Sequence, residues 1–127
     1  MDKNIGSIAM TMLDVLNQLK IYHWQTKSYA RHKASCELIS SLTDITDKII
    51  ETLQGKKNTR LNIVQKTNTI ILSNQNDMDI IDLLNEFKNY LVIVFPRYLT
   101  SKDTDILNLR DELLGEVNKT LYLFSLN

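Results

Sequence analysis

Four side chains of this 127-residue chain have the types and spacing of a metal-ligand set: His23, His32, Asp47 and Glu51. Imidazole nitrogens combined with carboxylate oxygens suit iron in both of its oxidation states. Read as one helix over residues 28–54, the chain puts His32 fifteen residues from Asp47. That is about 22 Å along the axis at the usual helical rise, so one chain alone cannot bring both to one ion. A two-fold axis near Ser40 and Ser41 removes the obstacle. If the helix packs antiparallel on its own copy, His32 of one chain faces Asp47 and Glu51 of the other, and two equivalent sites result. The expected ligand set is therefore His23 and His32 from one subunit with Asp47 and Glu51 from its partner.

The elements that must position these groups follow from apolar spacing. At 100° per residue, His32, Cys36, Ser40, Thr43, Asp47 and Glu51 share one stripe about 100° wide. Leu38, Leu42, Ile45, Ile49 and Leu53 form the opposite stripe, suited to the subunit's own core. Small residues at 36, 40 and 43 allow close backbone approach at the axis. His23 lies near the end of an earlier helix, expected over about Ile5 to Gln25, in which Ile8, Met12, Leu16 and Leu19 recur on one face. Eight residues separate His23 from His32, so the chain must turn back between them. Both rings then sit at one end of a helical hairpin.

With these positions in place, the chain resembles the Dps-like miniferritins of the ferritin superfamily. In that family a His-Trp pair ends the first helix, a second His opens the next, and an Asp-x-x-x-Glu pair follows; His23-Trp24, His32, Asp47 and Glu51 match those positions. Residues 12–54 carry most of the likeness, and the last segment, Asp103 to Phe124, matches mainly in apolar spacing. The HWQTKSYARHKA segment is also similar to small ferritin-like proteins of phages and large DNA viruses. The resemblance implies ferrous iron oxidised by peroxide or oxygen at a dimer interface, storage of the ferric product, and a homo-oligomer that is a dimer or a hollow dodecamer. Glu51 is placed to bridge a second iron. Two departures stand out. The loop between the histidines is about three residues shorter than is usual in the family. Cys36 also occupies the place of an acidic residue four positions after the second His. A thiolate is softer than a carboxylate and is itself oxidisable, which admits zinc, or no metal, in place of iron. The alternative function is a catalytically inactive relative that serves as a structural or partner-binding module.

Composition sets outer bounds. At 43% hydrophobic residues the chain is long enough for one core, and a single domain spanning 1–127 is expected. Fifteen basic and fifteen acidic residues cancel, and there is no Lys-rich tail, so nucleic acid is not an expected partner. No segment approaches a transmembrane span and none resembles a signal peptide, so a soluble cytoplasmic protein is expected, in a host cytoplasm if the source is a virus. One cysteine excludes an internal disulfide. The bias toward Asn, Ile and Lys fits an AT-rich genome, viral or other. No phosphate-binding Gly-rich loop, CxxC pair or nucleophile triad is present.

Four helices are predicted, giving an all-α, ferritin-like four-helix bundle with a long crossover between the second and third. Asn4 or Ser7 is available to cap the first. The second runs from about Ser28 to Gln54, stopped by Gly55. Asp77 or Asp79 opens the third, with Ile80, Leu84, Phe87, Leu91 and Val94 as its stripe, and Pro96 ends or kinks it. The fourth starts near Ser101 or Asp103 and carries Ile106, Leu109, Leu113, Val117, Thr120, Leu121 and Phe124 on one side. In the crossover, 56–76, the run Thr67 to Leu72 reads equally as an extended strand or a short helix.

Each candidate also has a plainer reading. His23 alone fits a partly buried ring hydrogen-bonded beside Trp24, and His32 a surface helix residue. Without metal, His32 pairs with Asp47 or Glu51 across the axis as a modest ion pair. Cys36 reads as a small packing residue and Asp44 as a solvated charge. Trp24 is expected to pack at the hairpin end or a subunit boundary, and Lys56, Lys57 and Arg60 belong to a solvated loop.

Overall fold

The computed structural model describes residues 1–64 and 69–126. Helix α1 spans Lys3–Gln25 and α2 spans Tyr29–Lys57. Asp2, not Asn4 or Ser7, caps α1: its carboxylate accepts from the N–H groups of Asn4 and Ile5 at 2.8 and 2.9 Å. Ser28 caps α2 through the Arg31 N–H. Gly55 does not stop α2. The helix runs on to Lys57 and ends at Asn58, which takes the left-handed conformation (φ 47°) and returns its N–H to the carbonyls of Gln54 and Gly55. Asn tolerates that conformation because its short polar side chain is an acceptable substitute for glycine there.

Helix α3, Asp77–Asn89, begins with a capping box in which Asn76 and Asp79 exchange side-chain to backbone bonds. Pro96 has the expected consequence, drawn out over two turns. Tyr90–Val94 widen into a π-helical turn and Phe95–Tyr98 tighten into a 3₁₀ turn, since a proline can neither donate to the preceding turn nor fit against it. The Leu91 carbonyl in this widened stretch accepts from Arg110 Nη1 at 2.9 Å. Helix α4 is Thr104–Phe124.

Three polar links set the helix directions. Lys56, at the end of α2, binds Asp103 and Asp105 at the start of α4 at 2.7 and 2.8 Å. Arg31, at the start of α2, reaches the Phe124 carbonyl at the end of α4 at 2.8 Å, so α2 and α4 are antiparallel. Tyr22, near the end of α1, donates to Asp77 at the start of α3 at 2.7 Å, so α3 begins where the α1–α2 hairpin closes. The order is up, down, down, up, which requires the chain to travel the length of the bundle between α2 and α3. The described parts of this connection lie against α1 and its cap. The first part of the crossover is held by Asp2 N–H to Arg60 O (2.7 Å) and Asn62 N–H to Asp2 O (2.9 Å). Its last part is held by Gln18 Nε2 to Ile71 O (2.8 Å) and Gln75 N–H to Gln25 Oε1 (2.7 Å).

Of the ambiguous run, Thr67 and Asn68 lie outside the described residues, and residues 69–72 are neither helix nor strand. The Gln18 side chain on α1 binds the Ile71 carbonyl in place of a ladder, and Ile71 and Leu72 face outward, 77% and 60% exposed. Among the described residues there is no strand, only one isolated parallel bridge between Asp2 and Leu61. The core is the apolar stripe of each helix: Ile8, Met12 and Leu19 from α1; Leu38, Leu42, Ile45, Ile49 and Leu53 from α2; Ile80, Leu84 and Phe87 from α3; and Ile106, Leu113, Val117 and Phe124 from α4. No helix among the described residues is long and apolar enough to cross a membrane.

Candidate metal centre

The hairpin brings His23 and His32 into direct contact. Their rings stack with centroids 3.8 Å apart and planes 18° from parallel. Each ring binds the backbone of the other residue: His23 Nδ1 lies 2.9 Å from the His32 carbonyl, and His32 Nδ1 lies 2.8 Å from the His23 carbonyl. A carbonyl oxygen only accepts, so Nδ1 carries the proton in both rings. Ser35 reinforces the assignment. Its buried hydroxyl donates to the His32 carbonyl at 2.9 Å and stands 3.1 Å from His23 Nδ1, from which it accepts. Both Nδ1 atoms are thus spent on the backbone, so in each neutral ring the lone pair lies on Nε2, the tautomer in which a histidine ligates metal through that atom. The plainer reading of His23 is therefore half right: its ring is hydrogen-bonded, but to α2 across the hairpin. Trp24 takes no part and is 70% exposed, so the expected packing at the hairpin end is not seen.

A second cluster lies at the same level of the hairpin. Arg31 Nη1 donates to the Tyr22 hydroxyl at 3.1 Å and stands 3.5 Å from Asp77, to which Tyr22 itself donates. The guanidinium also lies 5.1 Å over the Phe124 ring. Burial pushes the Tyr22 phenol above its ordinary pKa, and the bond from Arg31 opposes that shift. Ser35, Tyr22, Arg31 and Asp77 did not emerge from the ligand pattern. The available signal was adjacency: Tyr22 and Arg31 immediately precede the two histidines.

Helix α2 has the two faces its spacing predicts. Leu38, Leu42, Ile45, Ile49 and Leu53 are buried, whereas His32, Cys36, Ser40, Thr43, Asp47 and Glu51 are all exposed. Asp44 is exposed as well. Asp47 and Glu51 form no ion pair among the described residues, and neither meets a histidine within the chain. No three His, Cys, Asp or Glu side chains of a single chain come together among the described residues. Two of the four candidates are joined, and the carboxylates remain further along α2 on the exposed face.

No curated protein and no solved structure matches this chain. A family profile described as a family of unknown function, DUF5856, matches residues 23–124, a span that takes in His23, His32, Asp47, Glu51 and the greater part of the helical bundle, so the chain belongs to that family.

Proposed function

We propose that the protein is a Dps-like, ferritin-like iron-binding protein. In this reading it assembles through α2 into a two-fold dimer, and from dimers into a hollow dodecamer, in the cytoplasm. His23 and His32 of one subunit, with Asp47 and Glu51 of a second copy, bind ferrous iron as substrate. The iron is oxidised and stored as ferric mineral. Two ferrous ions supply the two electrons that, with two protons, reduce one peroxide to water. With oxygen as the oxidant, four ferrous ions supply its four electrons.

The observation that carries this reading is the reciprocal Nδ1 to carbonyl pairing of the two histidines, which leaves both Nε2 atoms free for a ligand. The exposed stripe of α2 and the up-down-down-up order with one long crossover support it further. Solution mass and a ferrous oxidation assay test it. The wild type should run as a dimer or larger and oxidise ferrous iron, and His32→Ala and Glu51→Ala should each reduce both binding and oxidation by tenfold or more. Unchanged uptake and oxidation in both variants would refute the ligand assignment.

The second reading is an inactive relative that keeps the bundle as a structural or partner-binding module. Cys36, exposed on the same stripe as His32, favours it, because an oxidisable thiol is a poor neighbour for peroxide and iron. An assembled protein that oxidises no ferrous iron would decide for this alternative.

A further inference from the structure

We infer that Arg31, acting with Tyr22 and Asp77, is the positioning residue of the histidine pair; this rests on the metal-binding reading above. The pair is sensitive to register. Its two Nδ1 bonds run in opposite directions between α1 and α2, so a slide of one helix along the other lengthens one or both. The three-residue loop limits such a slide without fixing it, because Thr26 and Ser28 bond only locally within it or to the adjoining helix ends. Arg31 adds bonds that cross between helices. Through one guanidinium it holds the Tyr22 hydroxyl of α1, the Asp77 carboxylate of α3 and the Phe124 carbonyl of α4. Tyr22 and Arg31 are the chain neighbours of His23 and His32, so this clamp and the stacked rings occupy adjacent flanks of one level of the bundle. Arg31 is only partly exposed and stacks over Phe124, which restrains its own side chain. A lysine cannot copy this clamp, since a single ammonium lacks the planar fork that serves several acceptors at once.

The test uses the full chain without metal, labelled with ¹⁵N in its histidines, followed by titration with Co²⁺ as the probe. In the wild type both rings should show the pattern of a protonated Nδ1 and an unprotonated Nε2. Arg31→Met and Arg31→Lys should lose that pattern for at least one ring and weaken Co²⁺ binding by 10- to 100-fold, the range expected when a ligand's orienting partner is removed. Tyr22→Phe, which keeps the ring, is the milder variant should Arg31→Met fail to fold. Arg110→Met removes an arginine bound to a carbonyl elsewhere in the bundle and should leave both readouts unchanged. Retention of the wild-type pattern and of affinity within twofold in the Arg31 variants would overturn the inference, as would an equal loss in Arg110→Met. Absence of Co²⁺ binding in the wild type would instead count against the metal reading, while the ¹⁵N pattern would still decide the role of Arg31.

Discussion

Gly6→Ala should destabilise the protein, whereas Gly115→Ala should stabilise it. A Cβ built on Gly6 falls 1.9 Å from the Asn62 carbonyl oxygen and 2.8 Å from its carbon. Ordinary contact requires about 3.5 Å, so the start of the crossover must retreat by roughly 1.5 Å. Three bonds resist: Asp2 N–H to Arg60 O at 2.7 Å, Asn62 N–H to Asp2 O at 2.9 Å, and Leu61 N–H to Gln54 Oε1 at 2.9 Å. A shift of that size breaks them, at about 0.5–1.5 kcal/mol each, while the alanine returns up to about 1 kcal/mol of helix propensity. The net loss is about 0.5–4.5 kcal/mol. At Gly115 nothing lies within 4 Å of the added Cβ, so only the gain of up to about 1 kcal/mol remains. Thermal unfolding followed by circular dichroism reads both. With about 3–6 °C per kcal/mol for a domain of this size, Gly6→Ala should melt about 2–25 °C below the wild type and Gly115→Ala up to about 6 °C above it. A Gly6→Ala melting temperature equal to or above wild type would show that the crossover is not pinned against α1 as described.

Among the described residues the buried Tyr90 hydroxyl has no partner at hydrogen-bond geometry, and burial, opposed in part by the nearby Thr11 hydroxyl, pushes its phenol up to about 12. A folded pKa above the unfolded value of about 10 means that this stabilisation is complete below pH 10 and is lost as pH rises toward 12, by up to about 2–3 kcal/mol. Tyr90→Phe should abolish that alkaline loss and, by removing an unpartnered hydroxyl, gain about 1 kcal/mol at neutral pH; denaturant titrations at pH 8 and 11 check both. Bonds from Lys56 hold the carboxyl groups of Asp103 and Asp105 below their ordinary values, so their contribution is present above about pH 4 and disappears as pH falls through the lowered values. Lys56→Met should flatten that acid limb in unfolding curves from pH 6 to 2, and an unchanged limb would show that the pairs add nothing. Gln18→Ala removes the amide that holds Ile71 and Gln75. The loss of two bonds worth about 1–3 kcal/mol should raise opening of the crossover, and with it limited proteolysis near residues 70–75, by roughly 5- to 150-fold.

Much of this molecule was legible in one dimension because helical spacing is a local property. The stripe Leu38, Leu42, Ile45, Ile49 and Leu53 is buried and the stripe from His32 to Glu51 is exposed, since a period of 3.6 residues fixes which side chains share a face before any partner is chosen. The short span between His23 and His32 likewise forced the two rings to one end of a hairpin. Cap identity was less legible. Asp2 and Asn76 compete with neighbours of equal capping ability, and the choice falls to whichever residue the crossover and the α1–α3 junction hold at the helix start. The end of α2 at Asn58 and the path of residues 69–76 were not readable at all. Both depend on groups far away in sequence, such as Gln18 and Gln25, whose amides accept and donate equally well to water until the fold brings the crossover against them. The same holds for the site. Residue type proposed the histidines, but their reciprocal backbone bonds and the Arg31 clamp arise only when helix ends remote in sequence are packed at one level. Distance along the chain carries no record of that packing.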